Sequence, residues 1–276
     1  MNTYNVLSWG GGVQSSFLLL ASARGLFPRI DAAIFCDPGL ESRETMDSMR
    51  KVAEIAENAG IRVIFHKRVD FQTDLARGRI RAPYFVKKKS GGVGLNRRSC
   101  TKEYKVVAFD QCVKRQVMGL KPRQMVKGAV CNAWLGISSD ERKRAIIGSG
   151  TYWKRVVYPL LQDTETMELL DKPWSRTDCI DWLREEFSGL HVPKSACIMC
   201  PYLRREAMIR LYRESPEEFA VAEAHDARIR EINPILYVHR RCMPLREAVE
   251  ADIADGIGDQ CGDIFEGRFS CGTCGT

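Results

Sequence analysis

Short apolar runs alternate with helical patterns through the first part of the chain. Apolar runs over residues 4–9, 31–36 and 61–65 have the length and flanks of buried strands. Between them, apolar residues recur at helical spacing from Phe17 onward and over residues 43–58. Strands and helices that alternate in this way predict right-handed crossovers and a doubly wound parallel sheet. The predicted fold class is therefore α/β.

The pattern is less regular beyond residue 77. Residues 77–98 lose the hydrophobic period and are rich in glycine and basic residues. We expect a mobile surface segment there, which forms a lid over a ligand, contacts nucleic-acid phosphates or is disordered. A helix is predicted from Arg98 to about Gly119, and residues 124–130 are predicted to form a fourth strand.

Two helix starts are readable in the C-terminal third of the chain. Ser175 followed by Asp178 is typical of a helix N-terminus. Ser215 as the cap, with proline next and Glu218 three residues beyond the cap, predicts a helix over residues 216–232. This third of the chain is therefore predicted to be helical and to pack on the sheet.

The composition is that of an ordinary globular protein. The 276 residues are 45% hydrophobic and 28% charged, which suits one large domain or one domain with an appendage. No basic segment followed by an apolar one opens the chain, and no apolar run approaches the length of a membrane span. We expect a cytoplasmic protein with no membrane association.

Basic residues are clustered along the chain. The net charge of +7 is modest, but Lys and Arg are adjacent at 87–89, 97–98, 204–205 and 240–241. Such clusters suit a polyanionic partner such as nucleic acid. A solvated protein surface is the alternative interpretation.

A glycine-rich stretch joins the first apolar run to the first helical pattern. Gly10, Gly11 and Gly12 allow a tight turn and close approach of a ligand to the backbone, while Ser15 and Ser16 can cap the helix. Free N–H groups at a helix start favour a phosphate. The stretch, residues 10–16 (the glycine loop), lacks the Lys-Ser/Thr end of a Walker loop and the spread glycines of a dinucleotide fingerprint. A simple strand-to-helix turn is the other interpretation.

The glycine loop resembles the Ser-Gly-Gly-x-Asp-Ser pyrophosphate loop of the adenine nucleotide α-hydrolase superfamily. That superfamily includes ATP pyrophosphatases and phosphoadenosine phosphosulfate (PAPS) reductases. Gly10 replaces the first serine of the motif, and Gln14 replaces its aspartate. The resemblance implies a Rossmann-like sheet that binds ATP with Mg²⁺, or adenylyl sulfate (APS) or PAPS, at this loop.

Three further stretches resemble the PAPS-reductase-like proteins, in the same order along the chain. Cys36-Asp37-Pro-Gly matches the stretch whose backbone reads the adenine, and residues 134–144 match a stretch at the far side of the nucleotide. The resemblance therefore implies nucleotide contacts from Cys36, Asp37, Arg142 and Arg144, with Asp37 and Arg142 as candidate catalytic residues. Residues 158–183 resemble the family's Pro-Leu-x-x-Trp segment.

These motifs suggest a division of the chain into three parts. Residues 1–165 would be the nucleotide-binding α/β domain, residues 166–258 a helical region with a Cys-x-x-Cys motif, and residues 259–276 a flexible tail with cysteines. The resemblance covers approximately residues 4–232.

Eleven cysteines in a cytosolic chain point to metal or thiol chemistry rather than to disulfides. Cys197 and Cys200 have the spacing of a metal-ligand pair. The resemblance to APS reductases, which hold a [4Fe–4S] cluster, implies Cys100 as a third ligand, with Ser99 in the place of a fourth. Zinc with His191 and a redox dithiol are the alternatives.

The C-terminal tail carries a separate cysteine signal. Cys261, Cys271 and Cys274 are available there for persulfide chemistry, attack on a sulfonucleotide or metal binding, and an inert tail is the alternative. Ser270-Cys271-Gly partly resembles the stretch in which sulfonucleotide reductases carry their attacking cysteine.

Together these resemblances imply an ATP pyrophosphatase that adenylates an acceptor, tRNA or DNA, and transfers sulfur with the help of a [4Fe–4S] cluster. A sulfonucleotide reductase with Cys271 as nucleophile and a thioredoxin-like reductant is one alternative. A zinc-stabilised nucleotide- or nucleic-acid-binding protein without catalysis is another. The sequence leaves open the acceptor, the sulfur donor and whether the chain forms a homo-oligomer.

Overall fold

A computed structural model describes residues 2–146, 150–161 and 172–258. Its strands are β1 Asn2–Ser8, β2 Ala32–Cys36, β3 Arg62–His66, β4 Phe85–Lys87, β5 Val93–Leu95, β6 Ala129–Trp134, β7 Gly150–Thr151, β8 Lys154–Val157 and β9 Leu236–Tyr237. Its helices are α1 Val13–Ala23, α2 Arg43–Asn58, α3 Phe71–Ala76, α4 Val107–Cys112, α5 Arg176–Glu186, α6 Arg205–Glu214, α7 Pro216–Ile232 and α8 Leu245–Ala254. Within the described ranges, π-helical turns at Thr101–Val106 and Val113–Val117 extend α4, and 3₁₀ turns lie at Ser139–Arg144 and Pro159–Leu161.

The larger sheet confirms the predicted α/β class. Its strand order is β3-β2-β1-β6-β8-β7, and all of its described pairs are parallel except β7 with β8. The chain runs outward from β1 through β2 to β3 and then returns to β6 on the other side of β1. Strand order therefore reverses between β1 and β6, and ligands of open α/β sheets bind beyond the carboxyl ends of strands at such a point.

The first helix is buried because other elements surround it. Phe17 and the three leucines that follow are fully inaccessible to solvent, and α1 packs against the sheet, α2 and α5. Trp174 stacks on Phe17 with ring centroids 4.7 Å apart, and Cys179 and Leu183 of α5 join the same core. Helix α5 is thus anchored to the sheet that carries the glycine loop.

A second core joins the C-terminal helices to residues from the first half of the chain. Leu40, Phe71, Tyr84 and Tyr104 pack with apolar residues of α6, α7 and α8. The smaller, antiparallel sheet of order β5-β4-β9 lies in the same region. This core therefore ties together parts of the sequence on both sides of the proposed boundary at residue 165, which itself stays a prediction.

A carboxylate that is almost fully buried holds part of this region together. The side chain of Asp252 is 1% exposed and accepts hydrogen bonds from Arg205 and Arg241. His239 Nε2 lies 3.1 Å from Asp252 Oδ2. Burial alone would raise the pKa of Asp252, but the two arginines outweigh burial and lower it.

Part of the segment at residues 77–98 has regular structure, which its lack of a hydrophobic period did not predict, and the expected mobility of the segment stays a prediction. Residues 85–95 form the β4–β5 hairpin, and β4 also pairs with β9. The two strands have only three residues each, which is too short for an alternating pattern to stand out in the sequence.

The fourth predicted strand was placed too early. Strand β6 spans Ala129–Trp134 rather than residues 124–130. Arg123 has φ +66° and Gly128 has φ +67°, and these left-handed residues place a turn where the strand was expected. Trp134 consequently ends the strand instead of following it.

The predicted helices are confirmed closely. Helices α2 and α7 have the bounds 43–58 and 216–232, and α5 begins with a capping box between Ser175 and Asp178. The capping box expected at Ser215 does not form, because Glu218 instead accepts a hydrogen bond from the backbone N–H of Arg43 at the start of α2. No helix among the described residues is both long and apolar enough to span a bilayer.

Candidate functional site

The glycine loop lies where the order of strands reverses, at the carboxyl end of β1. Gly11 has φ +75°, and a Cβ there would come within 2.5 Å of Met49 Sδ, so this position requires glycine. Gly12 is the N-cap of α1, and no side chain caps this helix. The N–H groups of the first turn of α1 are therefore available to an anion.

The two serines of the glycine loop stabilise the loop by hydrogen bonds and do not cap the helix. Ser15 Oγ accepts from Gly10 N and donates to the carbonyl of Gly12, both at 3.2 Å. Ser16 Oγ accepts from Trp9 Nε1 at 3.0 Å. The predicted capping role was wrong because α1 begins at Val13, before either serine.

The end of β6 supports the glycine loop from the other side. A Cβ on Gly136 would lie 2.8 Å from Ser15 N and 3.0 Å from the carbonyl carbon of Gln14, so the two backbones are in direct contact. Gln14 Nε2 donates to Ser138 Oγ at 3.3 Å and to Glu141 Oε2 at 3.5 Å. The amide of Gln14 therefore has hydrogen-bond acceptors on both Ser138 and Glu141.

The two predicted arginines both lie near this end of β6. Arg144 Nη1 donates to Glu141 Oε2 at 2.7 Å, and its side chain is 50% exposed. Because Gln14 contacts the same carboxylate, Arg144 is linked to the glycine loop through Glu141. Arg142 Nη2 donates to the carbonyl of Leu161 at 3.3 Å.

The loop after β2, residues 37–41, is a tight turn beside the glycine loop. Asp37 Oδ1 accepts from Gly39 N at 2.6 Å, and Gly39 has φ +87°. Asp37 therefore shapes the turn in this structure. Cys36 is 6% exposed, and burial raises the pKa of its thiol to about 12, which keeps it protonated and unreactive.

The cysteine motif, residues 195–200, is attached to the loop after β2. Ile198 N donates to the carbonyl of Leu40 at 2.8 Å, next to an antiparallel bridge between Glu41 and Cys197. Ser195 Oγ and Cys197 Sγ donate to the two oxygens of Glu41 at 3.3 and 3.7 Å.

The cysteine motif also lies close to the glycine loop. A Cβ built on Gly12 would lie 3.9 Å from Ser195 Cβ, which is an ordinary van der Waals distance. The glycine loop, the loop after β2 and the cysteine motif are therefore adjacent to one another.

The three predicted cysteine ligands share one neighbourhood. Burial raises the pKa of the Cys197 and Cys200 thiols, and the charge of Cys100 raises both further. Cys100 directly precedes the helical turn at 101–106, and the guanidinium of the nearby Arg98 lies over the Tyr202 ring. All three cysteines are half-buried.

Among the described residues, no three His, Cys, Asp or Glu side chains lie close enough together to hold a single metal ion. His191, the alternative zinc ligand, lies with Nε2 3.5 Å from Glu44 Oε1 on α2. Ligation of a metal by Cys100, Cys197 and Cys200 therefore stays a prediction. Cys261, Cys271 and Cys274 lie outside the described residues.

Sequence reasoning missed the pairing of Glu41 with Lys105. The side chain of Glu41 is 1% exposed, and Lys105 Nζ lies 4.0 Å from its Oε1. Burial raises the pKa of Glu41, and Lys105 opposes that shift. Burial lowers the pKa of Lys105, but Glu41 and the three cysteines outweigh burial and raise it. Local pattern carried no signal for this pair, because the two residues are distant in sequence.

Comparison of the chain with protein-family models, curated proteins and solved structures finds no match. The candidate site is therefore defined by its own contacts. It comprises the glycine loop, the loop after β2 and the three cysteines, joined by Ser195 and Glu41.

Proposed function

We propose that this chain is an ATP pyrophosphatase of the PAPS-reductase-like group, which adenylates a nucleic-acid acceptor, tRNA or DNA, and then transfers sulfur to it. One observation carries the proposal: Ser195 of the cysteine motif lies close to Gly12, and the motif is hydrogen-bonded to the loop after β2. A nucleotide held at the glycine loop would thus lie beside the cysteine motif. That proximity is what a reaction needs if it couples nucleotide cleavage to sulfur chemistry.

The uncapped start of α1 suits the phosphates of ATP. Its N–H groups and positive helix end favour negative charge, and Mg²⁺ would neutralise part of the triphosphate. An oxygen of the acceptor attacks the α-phosphorus of ATP, and pyrophosphate leaves. Sulfur then displaces AMP from the activated acceptor. The protein contributes positioning and charge neutralisation to these steps, so no general base is required.

The cysteines suit an iron–sulfur cluster by their chemistry. Thiolates are the ligands that such clusters use, and Cys100, Cys197 and Cys200 lie in one neighbourhood. A [4Fe–4S] cluster held by these three would supply an iron with an exchangeable position for sulfur. Lys105 would place a positive charge beside the thiolates, as its interactions with all three indicate. Zinc is the alternative occupant.

The experiment measures metal content and nucleotide turnover in one preparation. Protein purified without oxygen is assayed for iron, zinc and acid-labile sulfide, together with variants in which Cys100, Cys197 or Cys200 is replaced by serine. Each of these variants should lose iron. Cys242→Ser, which removes another half-buried thiol, is the matched control and should retain it.

Pyrophosphate release from ATP is measured in the same samples. Gly12→Val should abolish release while the fold persists, because Gly12 has φ −91° and the atom nearest to an added Cβ is Ser195 Cβ at 3.9 Å, an ordinary contact distance. Gly11 is unsuitable for this test, since its positive φ makes any substitution strained. The proposal would be contradicted if the wild-type protein contained no iron and Gly12→Val released pyrophosphate at the wild-type rate.

Two other outcomes identify the alternative functions. Sulfite release from APS or PAPS that requires Cys271 and a thioredoxin-like reductant would make the chain a sulfonucleotide reductase. Bound zinc with nucleotide or nucleic-acid binding but no turnover would make it a binding protein without catalysis.

A further inference from the structure

The smaller sheet has one face in the second core and one face turned away from it. Tyr84 and Val86 on the β4 side and Leu236 on β9 pack in the second core. Side chains alternate between faces along a strand, so Phe85 and Lys87 lie on the opposite face. We call this opposite side of the β5-β4-β9 sheet the outer face.

Large apolar side chains form a row across the outer face. Phe85 pairs directly with Leu95 on β5 and with Tyr237 on β9, so the three side chains are neighbours on one side of the sheet. Phe85 and Tyr237 are half-buried, and Leu95 is 44% exposed. Lys87 pairs with Val93, which is 48% exposed, in the next row.

Positive charge is concentrated around this row. Residues 77–102 contain nine Lys or Arg residues and no Asp or Glu, whereas the whole chain has a net charge of only +7. The rest of the chain is therefore slightly acidic. Asp74 pairs with Arg79 and Arg81, but within the described residues no ion pair engages Lys87, Lys88, Lys89 or Arg97.

Phe85 connects the outer face to the second core. It lines a small cavity together with Cys200 and Arg240 and with Met208 and Val238, two buried residues of the second core. Arg240 is exposed. Phe85 therefore lies between the outer face and the neighbourhood of Cys200.

We propose that the outer face binds single-stranded nucleic acid, with bases stacked on Phe85 and Tyr237 and phosphates bound by the basic residues around them. Aromatic rings accept any base by stacking, and unpaired lysines and arginines neutralise the backbone. A duplex hides its bases, so it gains only the charge contacts. That the bound nucleic acid is the sulfur acceptor rests on the proposed function, but the binding of nucleic acid to the outer face does not.

The test is the affinity of the full chain for a labelled single-stranded RNA of about 16 nucleotides, measured by fluorescence anisotropy at several salt concentrations. Phe85→Ala and Tyr237→Ala should each weaken binding about 10-fold. Replacing Lys87, Lys88 and Lys89 by glutamine should reduce the slope of log affinity against log salt by about 2. This triple variant changes only exposed residues, so it leaves the fold intact.

A matched control removes three positive charges elsewhere. Lys51, Lys121 and Lys127 are exposed, and the last two precede β6, at the amino end of the strands and thus opposite to the glycine loop. Their replacement by glutamine lowers the net charge as much as replacement of Lys87, Lys88 and Lys89 does. It should change the affinity for RNA less than 2-fold, because these lysines lie away from the outer face. Equal effects of the two triple variants would overturn the proposal.

Other partners are separate outcomes of the same experiment. The proposal fails if a duplex of the same sequence binds as tightly, or if vesicles of phosphatidylserine and phosphatidylcholine bind through Lys87–Lys89 while RNA does not. It also fails if Phe85→Ala with Tyr237→Ala dissolves a dimer and leaves RNA affinity unchanged. The protein could bind RNA through the outer face and yet contain no iron and release no pyrophosphate. That outcome would support this inference and reject the proposed function.

Discussion

Replacement of Gly136 by alanine tests whether the contact between β6 and the glycine loop positions a nucleotide. The added Cβ would lie 2.8 Å from Ser15 N and 3.0 Å from both Ser15 Cα and the carbonyl carbon of Gln14. Ordinary contacts begin at 3.4 Å, so the loop must move by roughly half an ångström. All three atoms belong to the backbone, so no side-chain rotation relieves the clash.

The expected cost follows from these distances. Overpacking of this kind destabilises a fold by about 1–3 kcal/mol. A displaced loop also misaligns the N–H groups that would bind phosphate, which should weaken ATP binding on the order of 10- to 100-fold. Urea unfolding and the binding of a fluorescent ATP analogue measure the two effects.

Gly92→Ala is the control for the added methyl group. Its Cβ would make an ordinary contact with Lys88 Cδ at 3.9 Å, so neither stability nor ATP binding should change. If Gly136→Ala unfolds earlier in urea but binds ATP like the wild type, the glycine loop is not the nucleotide site. If neither quantity changes, the close approach of the two backbones is itself refuted.

Two further predictions concern charged contacts. Asp252→Asn should lower the free energy of unfolding by about 3 kcal/mol, because it removes the partner of two half-buried arginines. Since the pKa of Asp252 is lowered in the folded state, the difference in stability from wild type should be complete at neutral pH and should shrink below about pH 4. Unfolding curves that show the same difference at pH 3 as at neutral pH would contradict this. Gln14→Asp places a carboxylate beside Glu141, so it should destabilise the fold by about 1 kcal/mol, more at low salt. Glu141→Gln should relieve the effect in a double-mutant cycle, and additive effects would refute the contact.

Much of the fold could be predicted because its signals are local. Helix α2 carries its period and its Ser42 cap within one stretch, and α7 likewise matches its predicted bounds. The turn before β6 was missed because Arg123 adopts a positive φ, which is uncommon for a residue other than glycine and is not indicated by the sequence. The β4–β5 hairpin was missed because three-residue strands are stabilised by pairing and by the second core rather than by their own sequence pattern.

The candidate site could be predicted only in part. Gly10–Gly12 are visible in sequence because a strand, three glycines and a helix follow one another directly. The pairing of Glu41 with Cys197 joins residues that are distant in the chain, and no periodicity reports such a contact. The proximity of Cys100 to Cys197 was expected from the family resemblance alone. Burial of Glu41 depends on elements packed around it from both halves of the chain, so it appears only in three dimensions.

The attachment of the cysteine motif to the loop after β2 has a consequence for biosynthesis. Cys100 leaves the ribosome roughly a hundred residues before Cys197, which at ordinary elongation rates of about 5–20 residues per second is a delay of roughly 5–20 s. During that interval the bridge to Glu41 does not exist, and Cys100 is a thiol without its neighbours. A newly made chain is therefore most vulnerable to oxidation before its C-terminal helices dock, and production under low oxygen should increase the yield of folded protein more than reduction after purification.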